Sequence, residues 1–164
     1  MAYRMTVDGL TEFSGLLDKL GDSAQSVASQ ALYEGAGMMA EAINKGAEGI
    51  KTESFHYARE GTRLPSPEEK AIVEAASAGI AKFDKGADSV DTSVGFRNAG
   101  YAMLGNKEKP IPQIVNAINS GTSFMQKQPF VRSASTKAKT KVLTAMKEKI
   151  ESTFDAITKE TTGG

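Results

Sequence analysis

Ile118-Asn119-Ser120-Gly121-Thr122-Ser123-Phe124-Met125-Gln126-Lys127-Gln128-Pro129-Phe130-Val131-Arg132-Ser133-Ala134 separates a compact α+β pattern from one long helical run. Gly121 reaches positive φ at no steric cost, so the segment before it stops there. Pro129 fixes its own φ and biases Gln128 away from the helical region, which makes 122–129 extended or turn-like. Pro129 also suits the start of the next helix, where a missing N–H costs nothing. Phe124 and Phe130 flank the polar tract and are able to pin it to a core or to a partner.

After this stretch, Val131, Ala134, Ala138, Val142, Ala145, Met146, Ile150, Phe154 and Ile157 hold one stripe over a helix of about 130–159. The continued stripe predicts burial along the whole helix, Phe154 included. Before the stretch, Ile111, Ile114, Val115 and Ile118 recur at helical spacing, and a short helix is expected over 112–120. Upstream, Tyr101-Ala102-Met103-Leu104 reads as a strand closed by Gly105-Asn106, after which Pro110 and Pro112 bar a regular ladder. Val90, Thr92, Val94 and Phe96 alternate with Asp91, Ser93, Gly95 and Arg97, the pattern of a half-buried strand. With Ile80–Phe83 and the turn-rich 84–88 they form a β-hairpin. Ser66-Pro67-Glu68-Glu69 combines a Ser N-cap, Pro at the first helical position and Glu three residues after the cap; Gly79 ends that helix.

Nearer the start, Met5-Thr6-Val7 suggests a short strand, and Leu10, Phe13, Leu16, Leu17 and Leu20 a short amphipathic helix. From 23 to 50 a longer helix is marked by Ala28, Leu32, Gly35, Met39, Ile43, Gly46 and Ile50 on one side. Gly35, Gly37, Gly46 and Gly49 each lower helix propensity by about 1 kcal/mol relative to Ala. Close approach of another helix, or a locally weak helix, both account for them. Residues 51–65 show no periodicity; as a loop carrying Phe55, Tyr57 and Leu64, they are expected to become ordered on assembly.

The fold class is therefore α+β, a small antiparallel sheet packed against two long helices plus short helices, in one domain over 1–164. The 164 residues are enough to bury a core, and 40% are apolar, 24% charged, with no net formal charge. That balance argues against a protein devoted to wrapping nucleic acid or coating an anionic membrane. No cysteine is present, which excludes disulfides, Cys-ligated zinc and thiol catalysis. No apolar run approaches a membrane span, and the N-terminal residues lack a secretory h-region. His56 is the sole histidine and no converging metal ligands or phosphate loop are visible, so no catalytic, cofactor or metal residues are expected. Phe55-His56-Tyr57 with Arg59 and Arg63 suits nucleic-acid stacking, but three aromatics in one loop more often anchor it to the domain or to a neighbouring subunit. Between Arg132 and Lys149 stand six cations and one acid, either a solvated face or a phosphate-neutralising one.

The order Gly121-Thr122, a short variable tract, then Pro129-Phe130-Val131-Arg132-Ser133-Ala134 resembles the signature of neck, or tail-completion, proteins of long-tailed bacteriophages. The resemblance extends back through Val94-Gly95-Phe96 and Lys109-Pro110-Ile111-Pro112 and covers 75–150. Such proteins often place a Glu shortly before the Gly-Thr, where this chain has Asn119 and Ser120, so no contact of that acid is carried over. The resemblance implies a non-enzymatic virion protein, a minor tail component without cofactors, assembled in the host cytoplasm. It implies a homo-oligomeric ring joining the head connector to the tail tube, beside head-closure, tail-terminator and tail-tube proteins. A tail-terminator or head-closure ring is the alternative within this class, and packaged DNA would lie near enough for non-specific contact. A small nucleic-acid-binding module using the basic helix is the alternative outside it. The residues expected at the assembly interface are Phe124, Met125, Gln128, Pro129, Phe130, Arg132, Phe55 and Tyr57. Of these, Phe124 and Met125 are expected to face a neighbouring subunit and Phe130 the chain's own core, with Arg132 a candidate for pairing with a neighbour's acid.

Overall fold

The structure, a computed structural model, describes residues 2–5, 22–54, 62–86 and 89–162. Four helices and five strands make up these residues: β1 (Ala2–Met5), α1 (Asp22–Glu48), α2 (Pro67–Ala76), β2 (Gly79–Lys85), β3 (Val90–Gly95), β4 (Tyr101–Leu104), β5 (Lys107–Pro110), α3 (Ile111–Ser120) and α4 (Phe130–Thr162). The fold is α+β, with two small antiparallel sheets where one was expected: β1-β3-β2 and the β4-β5 hairpin. The expected helix over 10–20, Thr6 and Val7 of the expected first strand, and Phe55, His56, Tyr57 and Arg59 lie outside the described residues.

α1 is the central element, with α4 against one side and β2 and β3 against the other. Its buried residues therefore exceed a single stripe. Leu32, Met39, Ile43 and Ile50 are buried as the spacing predicts, and Val27, Ala36, Ala40 and Ala47 join them because the sheet covers a second face. The two long helices run antiparallel, since Gly35 faces Val142 and Met146 while Gly46 faces Ala134 and the Phe130 carbonyl. These two glycines mark close helix approach. A Cβ on Gly46 would lie 3.0 Å from Ala134 Cβ and 3.2 Å from the Phe130 oxygen, whereas one on Gly37 would meet nothing within 4 Å. Gly46→Val is expected to destabilise the chain by about 1–3 kcal/mol through overpacking. Gly37→Ala should stabilise it by up to about 1 kcal/mol through helix propensity. Urea midpoints for the two variants should move in opposite directions.

β3 is the middle strand of its sheet, so it is not half-buried as the alternation suggested. Thr92 to Phe96 are all buried, polar positions included. A register shift between Ile80 and Lys82 lets β2 stay paired with β3 along its length. Asn44 of α1 ties this sheet to the helix layer: its side-chain amide donates to Ala78 O at 3.1 Å and to Ser77 Oγ at 2.8 Å.

The capping box of α2 is present as read, with Ser66 Oγ accepting from Glu69 N–H and the Glu69 carboxylate accepting from Ser66 N–H. The helix stops at Ala76, with Ser77 at φ 53°, and Gly79 instead opens β2. The prolines do not bar a ladder: Pro110 takes the terminal pair of β5, opposite Tyr101, where no interior ladder bond is lost. α4 reaches Thr162, but over 151–160 no residue is as buried as Ile150. Phe154 and Ile157 are only half-buried, which corrects the expectation of burial along its whole length.

Candidate assembly surface

Between the end of α3 and the start of α4, residues 121–129 form a loop held by bonds at several points. Gly121 has φ 76° and its N–H donates to Ala117 O at 2.9 Å, ending α3. A Cβ there would lie 3.0–3.2 Å from the backbone and Cβ of Lys127, so only glycine lets the loop fold back on its own start. Thr122 Oγ1 accepts from the N–H groups of Phe124 and Met125, and Thr122 N–H donates to Met125 O at 3.0 Å. Gln128 N–H donates to Ile118 O at 2.8 Å.

Two distant segments complete the frame. Arg63 forms a parallel bridge with Met125, donating its N–H to Phe124 O at 2.9 Å and accepting from Gln126 N–H at 2.8 Å. The Gln128 side chain pairs with the Lys51 backbone, accepting from its N–H and donating to its C=O, both at 2.8 Å. Asn119, the last buried side chain of α3, accepts from Val131 N–H at 3.2 Å and so satisfies one of the first donors of α4.

Arg63 is itself fixed. Its guanidinium forks onto the Glu69 carboxylate at 2.7 and 2.8 Å, while the same carboxylate caps α2. Burial pushes the Glu69 carboxyl upward, but the hydrogen bonds from Arg63 and Ser66, with the charges of Arg63 and then Lys109, outweigh it. The group stays below the ordinary carboxylate value. The Glu69 hydrogen bond in turn raises Arg63 above its ordinary value, against the opposing effect of burial.

This frame sorts the expected interface residues. Phe124 is 77% exposed at the loop's tip, whereas Met125 is only 5% exposed and belongs to the hydrophobic core. Met125 is therefore not a contact for a neighbour: the bridge to Arg63 turns its side chain inward. Phe130 is buried as expected, its ring meeting Phe96 edge-on with centroids 6.3 Å apart. Gln128 and Pro129 are half-buried parts of the frame, and Arg132 is exposed on α4. Phe55 and Tyr57 lie outside the described residues.

The chain matches no known protein family, no curated protein and no solved structure. The geometry alone therefore describes this surface.

Sequence reading missed the roles of Arg63, Lys51 and Asn119. Arg63 reads in sequence as a stacking cation, and its pairing with Glu69 and Met125 crosses gaps that no local spacing reveals. The cations of α4 do not all remain uncommitted, since Lys149 reaches Glu34 of α1 at 3.6 Å. Tyr101 and Met103, two apart on β4, form an exposed apolar pair. Among the described residues no cluster of His, Asp or Glu is arranged to hold a metal ion, and no helix is long and apolar enough to cross a membrane.

Proposed function

We propose that this chain is a structural protein of a bacteriophage neck, a subunit of the ring that completes the tail and joins it to the head connector. The reading starts from the motif order around Gly121 and Pro129. The observation that carries it is Phe124, a large apolar side chain set at the tip of a hydrogen-bonded loop whose next residue is core. A plain connection has no need of a frame built from Arg63, Gln128 and Thr122. A frame that holds one phenylalanine in water suits a contact made with another molecule, because the ordering cost is met before association. Tyr101 and Met103 supply a second apolar surface for a neighbouring tier of the neck. The ring acts by adhesion, without a catalytic group or cofactor.

Phe124→Ala tests this. The melting temperature should stay close to wild type, because truncating so exposed a side chain changes stability by no more than about 0.5 kcal/mol. Ring formation, followed by light scattering and electron microscopy, should fall at least about tenfold in yield, as for a central apolar anchor. A variant that assembles like wild type would reduce the loop to a linker and overturn the reading. The nucleic-acid alternative predicts instead retention on duplex DNA that weakens steeply with salt.

A further inference from the structure

Beside the loop runs an open groove of about 900 Å³, between the C-terminal end of α1 and the N-terminal end of α4. Lys45, Lys51, Lys127 and Lys137 line it, with no Asp or Glu among the described lining residues, and the half-buried Leu64 and Pro129 contribute to its apolar surface. The whole chain is charge-balanced, with 20 cationic and 20 acidic residues, so this positive concentration is matched by acids elsewhere. One such concentration lies at the far end of α4. Glu148, Glu151 and Asp155 are spaced i, i+3, i+7 on one helix face and all are exposed. Over 151–162 three acids stand against one cation, Lys159.

We infer that this groove receives the acidic C-terminal end of α4 from a second copy of the chain, so that copies join head to tail. The inference rests on the ring reading above and names the two surfaces that meet. α4 has 33 residues and spans about 50 Å, which keeps its acidic end away from the groove at its own start. The two complementary surfaces therefore cannot meet within one chain. They are also different surfaces, so the contact is heterologous rather than two-fold, and a heterologous contact generates a ring when its rotation closes. Half-buried Phe154 lies between Glu151 and Asp155 in sequence and offers apolar area to the apolar lining of the groove. That apolar surface favours a protein segment over a phosphate backbone, which would need only the lysines.

A charge swap tests the contact. Lys127→Glu with Lys137→Glu reverses the groove, and Glu151→Lys with Asp155→Lys reverses the helix end; all four side chains are exposed, and melting curves check that each variant folds. Assembly is followed by sedimentation across protein concentration. Each reversal should raise the concentration for half-assembly about tenfold or more, and combining them should recover it to within about threefold of wild type. A combined variant no better than either reversal overturns the inference. If the reversals assemble like wild type while Phe124→Ala does not, the head-to-tail contact falls and the ring reading stands. If Phe124→Ala and both reversals assemble like wild type, or the wild-type chain stays monomeric at every concentration, both fall. Loss of retention on duplex DNA in the groove variant, with rings intact, makes the groove a phosphate site and also overturns the inference.

Discussion

Phe130→Ala is expected to destabilise the folded chain by about 3–5 kcal/mol, the range for removing an enclosed aromatic ring. The ring is 7% exposed and meets Phe96, itself among the most enclosed side chains of the molecule. Phe130 is also the first residue of α4, its carbonyl lies against Gly46, and its N–H bonds to Gln128 O at 2.8 Å. The substitution therefore leaves a cavity where α1, α4 and the end of β3 converge. Assembly should fail with it, as a consequence of lost folding. Met125→Ala should behave in the same way, by about 2–5 kcal/mol, because that side chain is core. Urea unfolding of the isolated subunit separates these two from Phe124→Ala, whose midpoint should not move. An unchanged midpoint for Phe130→Ala would show that the first turn of α4 is not anchored through its ring.

The second large effect is expected at Glu69. Glu69 is 4% exposed, and its carboxylate holds three bonds at once, two from Arg63 and one from Ser66 N–H. Removing one partner of a buried pair typically costs about 3–5 kcal/mol. Arg63 keeps 34% of its side chain in water and is partly resolvated, so Glu69→Ala should cost about 2–4 kcal/mol, the lost capping bond included. The same contacts give a pH signature. The folded carboxyl lies below its ordinary value, so its stabilisation is fully present above the unfolded value of roughly 4.3 and is lost as pH falls through the lower folded value. Wild type and Glu69→Ala should therefore differ most at neutral pH and converge in acid. A difference constant down to pH 2 would show that the carboxylate's charge does not matter. Because Arg63 also bridges Met125, the variant should loosen the 121–129 loop, visible as faster amide exchange at Gln126.

Much of this was open to reading from local chemistry. Ser66 and Glu69 announce the start of α2, Gly121 the end of α3, and Pro129 the start of α4, because caps and breakers act within a few bonds of themselves. The stripes of α1 and α4 follow from the 3.6-residue helical repeat, which belongs to each helix alone. The strand over 90–96 was legible for the same reason, from its two-residue alternation. Its central place was not, because burial of Ser93 and Gly95 depends on which strands pair on either side.

The surface proposed for assembly divides in the same way. Local chemistry alone takes 122–129 off the helical path and sets Phe124 and Phe130 on either side of its polar tract. Packing assigns Phe124 to water and Met125 to the core, since an aperiodic segment has no face until a distant partner supplies one, here the Arg63 backbone. Likewise Lys45, Lys51, Lys127 and Lys137 are scattered through the sequence and form one groove only when α1, the loop and α4 are packed together. Helical and strand periodicity are local properties of the chain, whereas exposure and charge concentration arise from contacts between residues far apart along it.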